Sequence, residues 1–284
     1  MIKIIIKKEE ILKEVLKQKL NKSKNNLKTL CENNLIIINN KPIKKLDYKL
    51  KIGDKLIIKD KYIKDKNYKK LIEIIYEDND IIVVNKPFGL LSISDNKKHY
   101  SLYNIVSNYI KIKNKNNKIF IIHRLDRDTS GVIMFAKSEK VKNAYQNKFN
   151  DLVKKREYIA IVNGILDKSG TIKKNIIEDK TTFMHISNSK NSKIAITHYD
   201  PIKHNNKYSM IRVNIDTGRK NQIRVHLSSI NHSIIGDIKY GNKNSPIKRL
   251  GLHAKKLEII NPKSKKMMTF DSSIPESFYL LFKE

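Results

Sequence analysis

The sequence predicts an α+β protein built around a largely antiparallel sheet. Many short β-branched runs lie between turn residues, only a few scattered segments have helical periodicity, and no internal repeat is visible. At 284 residues the chain is long enough for one large domain or for a small one joined to a medium one. A hydrophobic content of 39% against 31% charged residues suits a globular protein with a real core.

The elements follow in order. Residues 9–31 contain two helix-like stretches. Ile11, Val15 and Leu20 form an apolar stripe, and Ser23 is placed to cap a second helix carrying Leu27, Leu30 and Cys31. Leu35–Ile38 reads as a strand with Asn39-Asn40 as its turn, and Gly53-Asp54 precedes another strand at Leu56–Ile58. These form a small module over residues 1–62. The stretch Asp60–Lys70 has little apolar content, and residues 63–70 are expected to link the module to a second domain over 71–284.

In that second domain, strands are expected at Glu73–Tyr76 and Ile81–Asn85 across the turn Glu77–Asp80, after which Lys86-Pro87-Phe88-Gly89 breaks regular structure. Ser101–Ile112 reads as a helix, Lys111–Lys118 as a polar loop and Gly131–Ala136 as a buried strand. Ser138 is expected to cap a helix running through Phe149. Tyr158–Val162, Ile194–Thr197 and Met210–Ile215 read as further strands. Asn221–Ser229 reads as a helix, with Ile223, Val225 and Leu227 apolar and Arg224 and His226 polar.

Charge narrows the partners. Lys+Arg number 59 against 28 Asp+Glu, a formal net charge of +31. A compact domain tolerates such self-repulsion poorly unless a polyanion neutralises it, so nucleic acid is the expected partner. An AT-rich coding bias also inflates lysine, but alone it would leave a smaller excess. No apolar run approaches the roughly 18 residues that span a bilayer. The N-terminus, MIKIIIKKEE, lacks a signal peptide's long apolar region. With Cys31 as the single cysteine there is neither an internal disulfide nor a cysteine-based metal cluster. A cytoplasmic monomer without membrane contact is therefore expected.

Where a positive charge suffices, this chain uses lysine. Arginine occurs only at 124, 127, 156, 212, 219, 224 and 249, which marks positions that call for a planar fork rather than a point charge. In the stretch HRLDRDTSG, residues 123–131, Arg124 and Arg127 flank Asp126, and Arg219 and Arg224 form a second cluster further on. This pattern points to a carboxylate held charged in a pocket by arginines.

HRLDRDTSG is similar to the signature of the RluA/RluC/RluD-type RNA pseudouridine synthases. So are NKPFGLL at 85–91, REYIAIVNG at 156–164, TGRKNQIRVHL at 217–227, GDIKYG at 236–241 and LHAKKLEIINP at 252–262. These motifs stand in the family's order and the resemblance covers most of residues 72–270. The segment INNKPIKKLDYKLKIGDKLII, residues 38–58, resembles the alpha-L RNA-binding motif shared with a ribosomal small-subunit protein.

The resemblance implies a central mixed, largely antiparallel bent sheet with flanking helices, preceded by a small α/β RNA-binding module. It implies isomerisation of uridine in RNA: the glycosidic bond breaks, the held base rotates, and carbon 5 reattaches to the ribose. Neither cofactor nor metal is implied, and the histidines lack zinc-ligand spacing. By resemblance Asp126 is the catalytic aspartate, acting as nucleophile or as base, and Arg224 is its cationic partner. Arg124 corresponds to the arginine that helps extrude the target nucleotide, and Tyr158 to the tyrosine that stacks on the flipped uracil.

Ile223 is expected in the wall of the uracil pocket, and Arg219 on a phosphate or a loop carbonyl. His123 is a weak candidate for a general acid and a better one for shaping the loop. One departure stands out: many members have Thr-His after the Gly-Arg, where this chain has Lys220-Asn221, so any catalytic part for that histidine is in doubt here. Large-subunit ribosomal RNA is the expected substrate, with transfer RNA the alternative. A non-catalytic RNA-binding ribosome-assembly protein would share the charge and fold, but intact Asp126, Tyr158 and Arg224 weigh against it. A hydrolase releasing uracil would need a positioned water and usually a second carboxylate.

Overall fold

A computed structural model of the chain describes residues 2–20, 23–32, 35–58, 72–94, 101–241 and 245–282. They divide into two compact units, one over 2–58 and one over 72–282. The linker expected at 63–70 lies outside the described residues.

The first unit runs β1 (Ile2–Ile5), β2 (Glu10–Ile11), α1 (Leu12–Leu20), α2 (Lys24–Glu32), β3 (Ile36–Ile38), β4 (Lys41–Pro42), β5 (Lys49–Leu50) and β6 (Lys55–Ile58). Its main sheet has the order β1-β6-β3-β4, antiparallel throughout, and β2 pairs with β5. The buried stripe of α1 is Leu12, Val15 and Leu16 rather than Ile11, Val15 and Leu20. Ile11 lies in β2 and is 45% exposed, so the helix starts one residue later and its inner face turns accordingly. Asn39 and Asn40 both have positive φ, 48° and 66°, the requirement of a tight two-residue hairpin turn. Asn39 also donates to Asp54 Oδ1 (2.8 Å) and accepts from the Lys55 N–H (2.9 Å), tying the turn to the start of β6.

The second unit runs β7 (Glu73–Glu77), β8 (Ile81–Lys86), α3 (Leu102–Lys113), β9 (Phe120–Ile121), β10 (Ser130–Ala136), α4 (Glu139–Gln146), α5 (Phe149–Leu152), β11 (Val153–Asn163), β12 (Gly170–Glu178), β13 (Met184–Ile186), β14 (Lys193–His204), β15 (Tyr208–Ile215), α6 (Gln222–Ser228), β16 (Leu252–Ile260), β17 (Met267–Asp271) and α7 (Glu276–Tyr279). Ser101 caps α3 in a reciprocal pair with Asn104, and Ser138 caps α4 by accepting from the Val141 N–H. The single helix expected through Phe149 is two. Asn147 and Lys148 interrupt it, and α5 carries Phe149 to within 5.9 Å of the His123 ring.

One large sheet holds this unit, in the order β13-β12-β14-β15-β11-β16-β10-β8-β7, with β17 on β16 and β9 on β10. It is mixed and largely antiparallel, as the sequence predicts. Every residue of β10 is buried, because both faces of the sheet are covered there. Ile133 and Phe135 face α3 with Ile82 and Val84, and Val132 and Met134 face Tyr145 and Leu152 with Ile81 and Val83. The two-residue period of strands thus feeds two cores, each fully buried aliphatic side chain contributing roughly 1.5–3 kcal/mol.

The one parallel ladder among the described strands joins β10 to β16 through Ser130↔His253 and Gly131↔Ala254. Gly131 has φ +116°, and a Cβ there would stand 2.1 Å from the Ala254 carbonyl oxygen. No side chain fits that crossing. Gly131→Ala is therefore expected to lower unfolding stability by roughly 2–5 kcal/mol, through left-handed backbone strain plus a backbone clash. Denaturant titration of the two proteins measures this, and equal midpoints would contradict it.

Candidate active site

Asp126 lies on the loop that leads from β9 into β10, and both neighbouring peptide groups are anchored. The buried Ser92 hydroxyl donates to the Leu125 carbonyl (2.7 Å) and accepts from the Leu125 N–H (3.1 Å). The fully buried Lys86 donates to the Arg127 carbonyl (2.8 Å), and also to those of Pro87 and Leu90. Burial pulls the Lys86 ammonium down to about 7, against the raising effect of the Asp128 and Asp126 charges. His123 accepts from the Met134 N–H at Nε2 (3.1 Å), and burial first, then the Arg156 charge, pulls it down to about 4. Its Nε2 lone pair is thus engaged by the backbone of β10.

The arginines that flank Asp126 in the chain do not bond to it. Arg127 forks onto Asp128 (3.1 and 3.2 Å), and Arg124 is exposed and makes no hydrogen bond or ion pair among the described residues. The cation that reaches Asp126 comes from α6: Arg224 Nη1 stands 3.5 Å from Asp126 Oδ2. The same guanidinium makes a closer, two-pronged contact that sequence reading missed, donating from Nε and Nη2 to the two oxygens of Asp237, each at 2.7 Å. The Asp237 side chain is fully buried and also accepts from the Lys239 and Tyr240 N–H groups. Burial works against the Arg224 charge, but the Asp237 hydrogen bonds and the Asp237 and Asp126 charges outweigh it, so its pKa rises.

Asn221 completes the cradle. It sits at the start of α6 with φ 53°, accepts from Arg224 Nη1 (3.1 Å), and donates to the Tyr240 hydroxyl (3.1 Å). The Tyr240 ring lies 5.1 Å beneath the Arg224 guanidinium. The loop before α6 is knit by the buried Gln222, whose oxygen accepts from the Thr217 hydroxyl and the Arg219 N–H and whose nitrogen donates to Ile196 and Thr197. Arg219 itself donates to the main-chain carbonyl of Ile194 in β14 (3.2 Å), a strand carbonyl rather than a loop carbonyl.

These parts surround a cavity of about 480 Å³ whose lining includes His123, Arg124, Asp126, Tyr158, Ile223 and Arg224. That volume falls in the ~300–1,000 Å³ range of small-molecule sites. Arg219 and Arg156 line it too. Tyr158 enters at a bulge in β11, where the register to β16 shifts between Glu157 and Tyr158. Burial, with the Asp126 charge adding to it, pushes its phenol up to about 12 against the lowering effect of Arg156. The ring is therefore neutral at physiological pH. His226 and His253, which lie in motifs noted above, do not line the cavity; they bond Thr197, and Ser130 with Ser272. Among the described residues no group of three or more His, Cys, Asp or Glu could hold a metal ion, and no helix is long and apolar enough to cross a membrane.

Asp237 and Tyr240 stand in the GDIKYG motif, yet nothing in their spacing announces Arg224 as their partner. Arg156 was marked by the scarcity of arginine, and no role for it could be read from the sequence.

Comparison with known proteins bears on what this cavity serves. Residues 80–229 match the sequence model of a family described as RNA pseudouridylate synthase. The chain is 37% identical over 219 residues to ribosomal large subunit pseudouridine synthase D of Borreliella burgdorferi, covering 74% of this chain and 67% of that protein. It is 30% identical over 278 residues to the protein of that name from Pasteurella multocida, covering 90% and 85%. Among solved structures, human RNA pseudouridylate synthase domain containing 4 superposes with a TM-score of 0.60 at 24% identity, over 72% of this chain and 89% of that one, which shows the shared fold. Both Asp126 and Arg224 fall within the matched residues, and the chain belongs to the RNA pseudouridylate synthase family, an RNA pseudouridine synthase in its own right.

Proposed function

We propose that Asp126 is the catalytic carboxylate, that Arg224, Tyr158, Ile223 and Arg124 form the uridine site around it, and that the substrate is large-subunit ribosomal RNA. The observation that carries this reading is the 3.5 Å approach of Arg224 Nη1 to Asp126 on the wall of a cavity that also takes in Tyr158. In the reaction the bond from uracil N1 to ribose C1′ breaks and one from C5 to C1′ forms. The proton on C5 is lost and N1 gains one, so atoms balance without an added reactant. A carboxylate serves as nucleophile at C1′ or as base toward the ribose, and both roles call for its negative charge. The guanidinium supplies the opposite charge in a site partly shielded from water.

Tyr158 offers a neutral aromatic face to hold the detached base without bonding to it covalently. Ile223 gives that base an apolar wall. Arg124, uncommitted among the described residues, is free to occupy the space that an everted nucleotide leaves, offsetting part of the few kcal/mol of unstacking. RNA binding by the N-terminal unit is part of the same proposal, supported by its lysines and its resemblance to the alpha-L motif. The ribosomal target is supported by the names of relatives from Borreliella burgdorferi and Pasteurella multocida.

Asp126→Asn keeps the shape of the side chain and removes its charge. It is expected to bind RNA as before and to form no pseudouridine, scored by carbodiimide-stop mapping; full turnover would refute the assignment. Asp237→Asn is expected to fold but to lower kcat on the order of a hundredfold, because Arg224 is then held by a weaker, neutral acceptor. An unchanged kcat would show that the Asp237 contact does not set the position of Arg224. Mapping pseudouridines in both RNA classes from cells with and without the gene tests the target: sites in large-subunit ribosomal RNA should vanish, and loss confined to transfer RNA would overturn it.

A further inference from the structure

Arg156 occupies the wall of the same cavity, two residues before Tyr158 on β11, and its electrostatics differ from those of the cavity's other guanidinium groups. Arg224 is neutralised by two carboxylates. Arg124 is exposed and Arg219 largely so. Arg156, by contrast, is half-buried and makes no ion pair with a carboxylate among the described residues. Its Nη2 donates to the Asp216 main-chain carbonyl (2.6 Å), while its buried Nε finds no acceptor. A guanidinium has five N–H donors, and this one uses a single bond.

The surroundings hold the group in place without satisfying it. Its Cζ lies 5.9 Å from the centre of the Phe149 ring. The chain carries Gly218 close by, where a Cβ would stand 2.7 Å from Arg156 Nη1. A half-buried cation without a counter-charge is unfavourable, so the missing anion is best sought in a ligand. Gln146 and Asn150 line the same cavity and bring neutral polar groups but no anion.

We propose that Arg156 is the phosphate seat of the cavity, binding an RNA phosphodiester next to the nucleotide whose base enters beside Tyr158 and Asp126. The proposal rests on the uridine-site reading above and adds the anion that the substrate itself brings. A planar fork suits a phosphate's paired oxygens, which accounts for arginine in a chain that otherwise prefers lysine.

The test measures binding of full-length protein to a single-stranded pentauridylate, as a function of salt. The oligonucleotide carries either ordinary phosphodiesters or one uncharged methylphosphonate at a chosen linkage. Arg156→Gln is expected to weaken binding of the ordinary oligonucleotide roughly tenfold and to lower the salt slope by about one. One methylphosphonate position should weaken the wild type by a similar factor and leave Arg156→Gln unaffected, since the two changes remove one contact. Arg156→Lys, which keeps the charge, should show an intermediate loss with the same coupling and serves where the glutamine variant does not fold. Methylphosphonate losses equal in variant and wild type at every linkage would overturn the proposal. Pseudouridine formation by the wild type on ribosomal RNA is scored separately. Absent turnover with intact coupling sinks the catalytic assignment and leaves the phosphate seat standing.

Discussion

A single guanidinium shared between two carboxylates organises the site. Asp237 takes the Nε–Nη2 edge of Arg224 in a fork at 2.7 Å, and this leaves Nη1 as the nitrogen that faces Asp126 at 3.5 Å. The geometry assigns the two acids different jobs. Asp237, its side chain wholly out of water and bonded also to two backbone N–H groups, is spent on holding the cation. Asp126, its side chain 29% exposed at the cavity, keeps oxygen lone pairs available for a substrate. With one carboxylate bound closely and the other loosely, the cation is fixed by the first and acts on the second.

That division works only because Asp126 is itself held from the opposite side. Ser92 and Lys86 grip the peptide groups before and after it, so its loop does not have to be ordered by substrate. Behind the loop, the parallel contact of β10 with β16 at Gly131 brings the loop's end against Ala254, which also pairs with Tyr158 across β16. The acid and the aromatic ring are thus positioned by one stretch of the sheet. The guanidinium comes from a helix packed against that sheet through Ile223 and Leu227, so the packing of the core sets the position of all three groups.

How much of this was legible in the sequence depends on whether the information is local. The strands of β8 and β10 were legible because burial on both faces leaves uninterrupted apolar runs. The Asn39-Asn40 turn was legible because asparagine tolerates positive φ. The strands β12 and β13 were not, since their lysines, asparagines and threonines show no clean alternation and β-pairing there depends on β14. β1 was not legible as a strand because its partner β6 is distant in the chain. In the site, scarcity of arginine pointed to Arg224, but pairing is a matter of three dimensions. Arg127, adjacent to Asp126 in the chain, turns to Asp128, while Arg224 comes from far along it. Asp237 went unread for the same reason: a carboxylate in a turn carries no mark of the cation it will meet.

The substitution of Asn221 for the histidine common in related sequences becomes intelligible from the same network. The position has φ 53°, a left-handed conformation that asparagine adopts with little strain. Its carbonyl oxygen must face Arg224, because a guanidinium can only donate, and its nitrogen is then turned to the Tyr240 hydroxyl. An imidazole would offer Arg224 an acceptor only while neutral, and on protonation would set a second positive charge beside it. The amide has no such titration. It holds Nη1 through an uncharged acceptor across the physiological pH range, so in this chain the orientation of the cation toward Asp126 does not depend on the protonation of a neighbouring ring.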